Sequence, residues 1–507
     1  MADTIFQPRN GALEHLDVLI VGAGLSGIGA ACHLQAECPG KSYAILEARE
    51  ASGGTWDLFR YPGIRSDSDM FTLGYSFKPW TGPKSIADGP SILSYIRETA
   101  AEQGVQERIR YGRRVTGASW SSEQACWTVD VQHAATGEPE QLTCAFLFAN
   151  TGYYRYDEGY LPAFPGIESY RGTLIHPQHW PEGVDCAGER VVVIGSGATA
   201  VTLVPALARV AAHVTMLQRS PTYILSLPGA DPVADVLRRV LPARAAYAIV
   251  RWKNVVISSL FYQLSRRAPS LVKSLIRRQV QRALPPGYDV DTHFKPSYDP
   301  WDQRVCLVPD GDLFTTIAAG GASVMTDTIE TFTEHGLRLR SGRELEAEVI
   351  ITATGLNLQL LGGMRLTVDG REVDPSQTVA YKGMMLSGVP NMAFTVGYTN
   401  ASWTLKADLV ASYLCRLLNH MDEHAYSRCM PLAPDPSLPT TPFMDLSSGY
   451  VTRSIALLPR QGAVAPWRLH MNYLLDLISL GRSPLQDEGI EFSAAAAPAA
   501  ASELLSV

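Results

Sequence analysis

No two cysteines in this 507-residue chain are spaced as C-x-x-C. The eight present (Cys32, Cys38, Cys126, Cys144, Cys186, Cys306, Cys415 and Cys429) are scattered, which argues against both a zinc site and a disulfide framework and points to a reducing cytoplasm. Residues 1–17 carry charges and no apolar core of signal-peptide length, so secretion is not supported. A positive balance is also missing. The net charge of −7 makes the chain as a whole a poor partner for nucleic acid and directs attention to small-molecule chemistry.

What is present suits an ordinary folded enzyme: 46% hydrophobic and 18% charged residues, with a mean hydropathy near zero. At the usual domain size the length allows roughly two to four domains. Two stretches, Val18–Ala36 and Val191–Ala208, are long and uncharged enough to resemble membrane spans. Each, however, is a β-branched run, a Gly-rich turn and an alanine-rich helical pattern, which is a strand, turn and helix buried in an α/β core.

The first stretch contains Gly22-Ala-Gly24-Leu-Ser26-Gly27, and Glu47 closes the next strand 20 residues after Gly27. Strand, G-x-G-x-x-G, helix and acid together form a dinucleotide fingerprint. The glycines give the tight turn, the close backbone approach to a pyrophosphate and the helix–strand packing, while the acid accepts from ribose hydroxyls. A second copy runs Gly195-Ser196-Gly197-Ala198-Thr199-Ala200, and its following strand, His213–Leu217, ends in Gln218-Arg219-Ser220. A carboxylate there would repel a 2'-phosphate; Arg219 pairs with one and Ser220 donates to it, so this site is expected to prefer NADPH. Two such units imply two dinucleotides, a flavin and its reductant.

Phe146–Gly152 and Val349–Gly355 are apolar strands that each end in Thr-Gly, placed as the crossings between nested domains. The expected fold class is α/β with two Rossmann-like dinucleotide-binding domains. An FAD domain occupies 1–156 and 347–490, and an inserted NADPH domain occupies 157–346. Within 236–288 stand eleven Lys or Arg and no acid, leaving −18 for the rest. Apolar residues from Trp252 to Ile276 recur there at helical spacing, so a basic helical insertion is expected at about 226–300. Its first reading is a solvated cap that attracts an anionic cofactor, and its second a loose membrane-surface contact. Residues 491–507, rich in alanine, read as a flexible tail.

Before the second motif lies Tyr170-Arg-Gly172-Thr-Leu-Ile-His176-Pro-Gln-His179-Trp180-Pro181. The pattern aromatic-x-Gly-x-x-x-His-x-x-x-Trp-Pro resembles the fingerprint of the flavin-dependent Baeyer–Villiger monooxygenases. The runs Gly53–Met70, Tyr298–Arg304 and Tyr398–Lys406 look like its thioamide-activating and long-chain-alkane members, from Leu16 to about residue 480. The resemblance implies that NADPH reduces FAD, dioxygen adds to the reduced flavin, and a ketone becomes an ester or lactone. Sulfides and thioamides follow as secondary substrates.

Residue by residue, the resemblance implies that Arg304 is the catalytic cation and Asp67 the acid that orients it beside the flavin. It implies Ser26 and Gly27 at the FAD pyrophosphate, Glu47 at ribose, Thr55, Trp56, Asp57 and Leu58 along the flavin, and Val115 at the adenine through its backbone. Arg65 and Ser66 stand at NADPH-contact positions, and His176 and Trp180 couple the domains. Gln303 departs from the family, many of whose members have lysine there to help hold the 2'-phosphate, so NADPH preference rests more heavily on Arg219.

Flavin disulfide reductases also carry two nucleotide motifs, but they need a cysteine pair soon after the first acid. No cysteine lies between Cys38 and Cys126. A non-catalytic NADPH sensor would need no Arg304. Hydroxylation of long alkyl chains, or sulfur oxidation as the main task, is the runner-up. A peroxide anion attacks carbonyls, a protonated hydroperoxide oxidises sulfur, and neither easily breaks an unactivated C–H bond, which favours ketones.

Overall fold

The computed structural model describes residues 13–494. The chain opens with β1 (His15–Val21), α1 (Leu25–Glu37) and β2 (Tyr43–Leu46), joined at the sheet edge by β3 (Ile109–Arg110). An antiparallel meander follows: β4 (Arg113–Ser121), β5 (Cys126–His133) and β6 (Pro139–Ala149). The end of β6 returns parallel to β1, so Ile20 pairs with Ile45 on one side and Phe148 on the other. These apolar runs do not alternate because both faces of the sheet are covered, and β2 is buried at every position.

The chain leaves this sheet through β7 (Tyr154–Gly159) and enters a second, five-stranded parallel sheet. Its strands are β8 (Thr173–Ile175), β9 (Arg190–Ile194), then α2 (Ala198–Leu207), β10 (His213–Gln218), β11 (Ala322–Thr326) and β12 (Val349–Thr352). The strand order is β11-β10-β9-β12-β8, with Val193 between Met216 and Ile351. Val349–Thr352 therefore belongs to the second sheet, and the return expected at 347 lies beyond Thr352. The chain comes back through β13 (Leu356–Leu358), antiparallel to β7, so that exit and return form one two-stranded ribbon.

Between β10 and β11 the expected helical insertion consists of α3 (Pro232–Val240), α4 (Ala243–Arg267) and α5 (Pro269–Ala283). Tyr247 and Val250 of α4 join the first core, while Val272, Ile276 and Val280 of α5 join the second. Arg251 is buried on α4 and donates to the carbonyls of Phe71 at 2.8 Å and Gly74 at 2.7 Å, so its charge is fixed inside the fold instead of facing water. After β14 (Met392–Phe394), which adds to β6, α6 (Trp403–Glu423) packs on α1, and a short α7 spans Tyr473–Ser479. Ile490–Ser493 pairs with Arg428–Pro431, so the start of the segment expected as a flexible tail, 491–493, is strand; the rest of it, 495–507, lies outside the described residues.

The inter-domain segment resolves into clamps. Gln178 donates from Nε2 to the carbonyls of Arg155 and Tyr156 in β7, at 2.8 and 3.0 Å. His176 lies so close to Gly159 that a Cβ there would sit 1.9 Å from its ring. On the opposite side of the first domain His33 of α1 contacts Glu37 at 2.8 Å and Asp408 of α6 at 3.5 Å. Burial alone would lower the His33 pKa, but Asp408 and Glu37 outweigh it and raise it to about 9. A raised folded-state pKa stabilises below the unfolded value of about 6.5 and is lost as pH rises through the folded value. Replacing His33 with Gln should therefore flatten the decline in stability between about pH 6.5 and 9, measured by urea unfolding across that range.

Candidate active site

Both nucleotide motifs open onto one cavity of about 1070 Å³. At its first end Gly22 has φ +102°, and a Cβ there would meet the Asn150 carbonyl oxygen at 2.6 Å. At the second, Gly195 has φ +139°, and a Cβ would meet the Ala353 carbonyl oxygen at 2.3 Å. Each Thr-Gly strand end thus lies against the first glycine of a motif, which is the close approach only glycine permits. Helices α1 and α2 begin at Gly24 and Gly197 without a side-chain cap or an acid in the first turn. Their free N–H groups and positive dipole ends face the cavity, an arrangement that suits phosphate groups.

Gly22, Gly24, Ser26, Glu47, Thr55, Trp56 and Val115 line the first end, and Gly195, Ser196, Gly197, Ala198, Thr199, Arg219 and Ser220 the second. Glu47 is buried and accepts from the Ala23 N–H at 2.7 Å and the Arg49 N–H at 2.9 Å. Burial raises its carboxyl pKa, opposed by those two N–H groups. Ser26 accepts from the indole N–H of Trp403 at 2.6 Å, and Trp403 stacks on Tyr153. Ser196 and Thr222 share a hydroxyl contact at 2.7 Å.

Four predicted residues lie outside this lining. The structure places Gly27 under Gly22, where a Cβ would sit 1.8 Å from the Gly22 carbonyl oxygen, so its part is helix–strand packing. Ala200 and Leu58 are core residues. Asp57 is buried between Arg49 at 2.5 Å and Arg97 at 2.7 Å, leaving its carboxylate neutralised by protein. Ser66 and Arg65 do line the cavity, but the Arg65 guanidinium makes a two-pronged contact with Asp312.

Where the two halves meet, Arg304 pairs with Asp67 at 2.7 Å, with both side chains partly open to the cavity. Arg304 lies two residues before the strand Cys306–Pro309, which runs beside Ile224–Leu227. The turn before it is pinned by Tyr223, whose hydroxyl donates to the Tyr298 carbonyl at 2.7 Å, and by Arg266 on Asp302 at 2.6 Å. Asp67 sits on a loop held by the Ser66 N–H to the Ala87 carbonyl at 3.0 Å. The Asp67 carboxylate holds the guanidinium above the ordinary arginine range, with Tyr450, Tyr153 and Tyr154 adding to the effect. Tyr450 is itself raised to about 12, chiefly by burial, so it stays protonated.

Residues 83–360 match the flavin-binding monooxygenase-like family, and residues 20–80 an NAD(P)-binding Rossmann-like domain. The chain is 57% identical over 486 residues to the FAD-containing monooxygenase EthA of Mycobacterium tuberculosis (strain ATCC 25618 / H37Rv), covering 96% of this chain and 99% of that one. The chain belongs to the flavin-binding monooxygenase-like family. It is also 47% identical to the probable FAD-binding monooxygenase AlmA of Acinetobacter baylyi (strain ATCC 33305 / BD413 / ADP1), over 94% of this chain and 96% of that one. Among solved structures, an oxidized steroid monooxygenase bound to NADP superimposes with a TM-score of 0.73 at 20% identity, covering 95% of this chain and all of that one. That likeness shows the fold.

The site also contains residues that the motifs alone did not single out. Tyr153 and Tyr154 follow Thr151-Gly152 directly and bring two phenols to Arg304. Their signal was the strand end itself. Tyr450 arrives from the C-terminal segment, and Arg340 adds a cation to the cavity lining; neither belongs to a motif. Gly22 and Gly197 separate protein packing from ligand contact, because a Cβ on Gly197 meets no protein atom within 4 Å. Gly22→Ala should be recovered with little bound flavin, and Gly197→Ala with normal flavin but weakened nicotinamide cofactor binding. Flavin absorbance and cofactor titration of the two purified variants distinguish the sites.

Proposed function

We propose that this flavin monooxygenase uses NADPH and O2 to insert one oxygen atom beside a ketone carbonyl, giving an ester or lactone. Sulfides and thioamides are secondary substrates. The balance is ketone, O2, NADPH and a proton in; ester, NADP+ and water out. The observation that carries this reading is the Arg304 guanidinium, fixed by Asp67 where the two nucleotide ends of one cavity meet.

The first motif, with Glu47, Thr55, Trp56 and Val115, would hold FAD, and the second, with Arg219 and Ser220, would hold NADPH. Bound and reduced, the flavin supplies the activation of dioxygen. The chain's own part is electrostatic. Attack on a ketone carbonyl places negative charge on oxygen, and a preorganised cation lowers the energy of that charge without reorganising at the moment of reaction. Asp67 fixes the guanidinium in place, and the phenols of Tyr153 and Tyr450 stand beside it. Neutral thiols do not compete: burial raises Cys306, beside Arg304, to about 12. The eight cysteines, all free, support work in a reducing cytoplasm.

Two experiments test the reading. Purified, FAD-loaded protein is mixed with NADPH, isotopically labelled O2 and 2-decanone; an ester carrying the label is expected, and NADPH oxidation without ester across short, cyclic and aromatic ketones would shift the assignment to sulfur or alkane oxidation. Arg304→Ala should still allow NADPH to bleach the flavin while ester formation falls by about 100- to 1000-fold. Loss of the Arg219 charge should act on the other step. Arg219→Ala should raise the KM for NADPH by about 10- to 100-fold and leave that for NADH nearly unchanged, read from steady-state oxidation of both cofactors.

A further inference from the structure

The helical insertion turns apolar residues outward. On α4, Ile249, Trp252, Val256, Leu260 and Leu264 follow one another three or four residues apart, so they form a single stripe along the helix. All are exposed, Leu260 to 64% and Trp252 to 46%. The opposite face, with Tyr247, Val250, Arg251 and Val255, is the buried one. The helix is therefore inverted relative to a solvated cap: its charged Arg251 lies inside and its apolar stripe outside.

Neighbouring helices repeat the pattern. Val233, Val236 and Val240 lie on one exposed side of α3, which is tied to α4 by the Lys253–Asp231 ion pair at 2.5 Å. Leu271 and Leu275 are exposed on α5. Tyr473 meets the Trp252 ring, bringing α7 with its exposed Leu475 and Ile478 alongside the stripe. An apolar surface of this extent marks an interaction site.

Charge selects the partner. Arg239, Arg244, Arg267, Arg278 and Arg282 have no carboxylate within 4 Å among the described residues. Asp235 is the exposed acid of these four helices, since Asp476 is buried against Lys406 at 2.8 Å. Apolar side chains flanked by unpaired arginines match an anionic lipid surface, where the apolar stripe enters the acyl boundary and the arginines meet phosphate. No helix among the described residues is long and apolar enough to cross a membrane, so the contact is in-plane.

We propose that α3, α4, α5 and α7 form a docking face for an anionic phospholipid membrane. The assignment rests on exposure and charge and stands whatever the substrate is. Its test is flotation of the holoenzyme with vesicles of phosphatidylglycerol and phosphatidylcholine, against phosphatidylcholine alone. Binding to the anionic vesicles that weakens with salt is expected. Removing Arg239, Arg244 and Arg267 together as glutamines should weaken it roughly a hundredfold, at about fivefold per charge. Leu260→Glu with Leu264→Glu should abolish it while NADPH oxidation in solution is retained. Acyl chains carrying bromine should quench tryptophan fluorescence in the wild type and less in Trp252→Phe; equal quenching in both would overturn the placement of the stripe. Protein that stays off the vesicles overturns the proposal. If the Leu260/Leu264 variant then halves the particle size in solution, the stripe is a contact between copies of the chain.

Discussion

The proposed chemistry needs a cation held, without being spent, where the two nucleotide-motif ends of the cavity meet. The Asp67–Arg304 pair meets that demand from opposite sides: Asp67 comes from the first domain and Arg304 from the inserted one. Neither position is set locally. Arg304 depends on the turn pinned by Tyr223 and Arg266, and Asp67 on the backbone bond from Ser66 to Ala87. The ribbon of β7 and β13, the Gln178 clamp and the bridging helix α4 all serve to keep those two supports in register. An ion pair in a partly enclosed site gains little stability by itself; here its value is the fixed orientation of the guanidinium.

The features legible in the sequence were those written in neighbouring residues. A β-branched run, a glycine turn and a small-residue helix recur within about twenty residues, so both nucleotide units could be read directly. Sheet membership could not. A strand buried on both faces looks the same in either sheet, and Val349–Thr352 is assigned by partners more than 150 residues away, among them Val191 and Thr173. Side-chain pairing over long separations is equally silent. Nothing near Arg65 in sequence signals its contact with Asp312, and nothing near Asp57 signals the one with Arg97.

The insertion shows a different limit. Helical spacing revealed an amphipathic pattern between Trp252 and Ile276, but periodicity carries no sign for inside and outside. The usual assumption puts the apolar side in. On α4 the buried side includes an arginine that donates to backbone carbonyls at the end of a short helix and pairs with the Asp408 carboxylate at 3.3 Å, so its burial is compensated. That satisfaction frees the apolar side to face outward.

The ribbon also decides the order in which the molecule is completed. The second sheet is contiguous in sequence, from Thr173 to Thr352, and all of its strands are available before the return strand is made. The first core is not contiguous: β6 waits for Met392–Phe394 and α1 for Trp403–Glu423. During synthesis the domain begun first is thus finished last, and the exposed flank of α1 must persist while almost four hundred residues are added. Because β7 and β13 are neighbours, the inserted domain keeps the two halves of the first core close together once it has folded, shortening the search that remains.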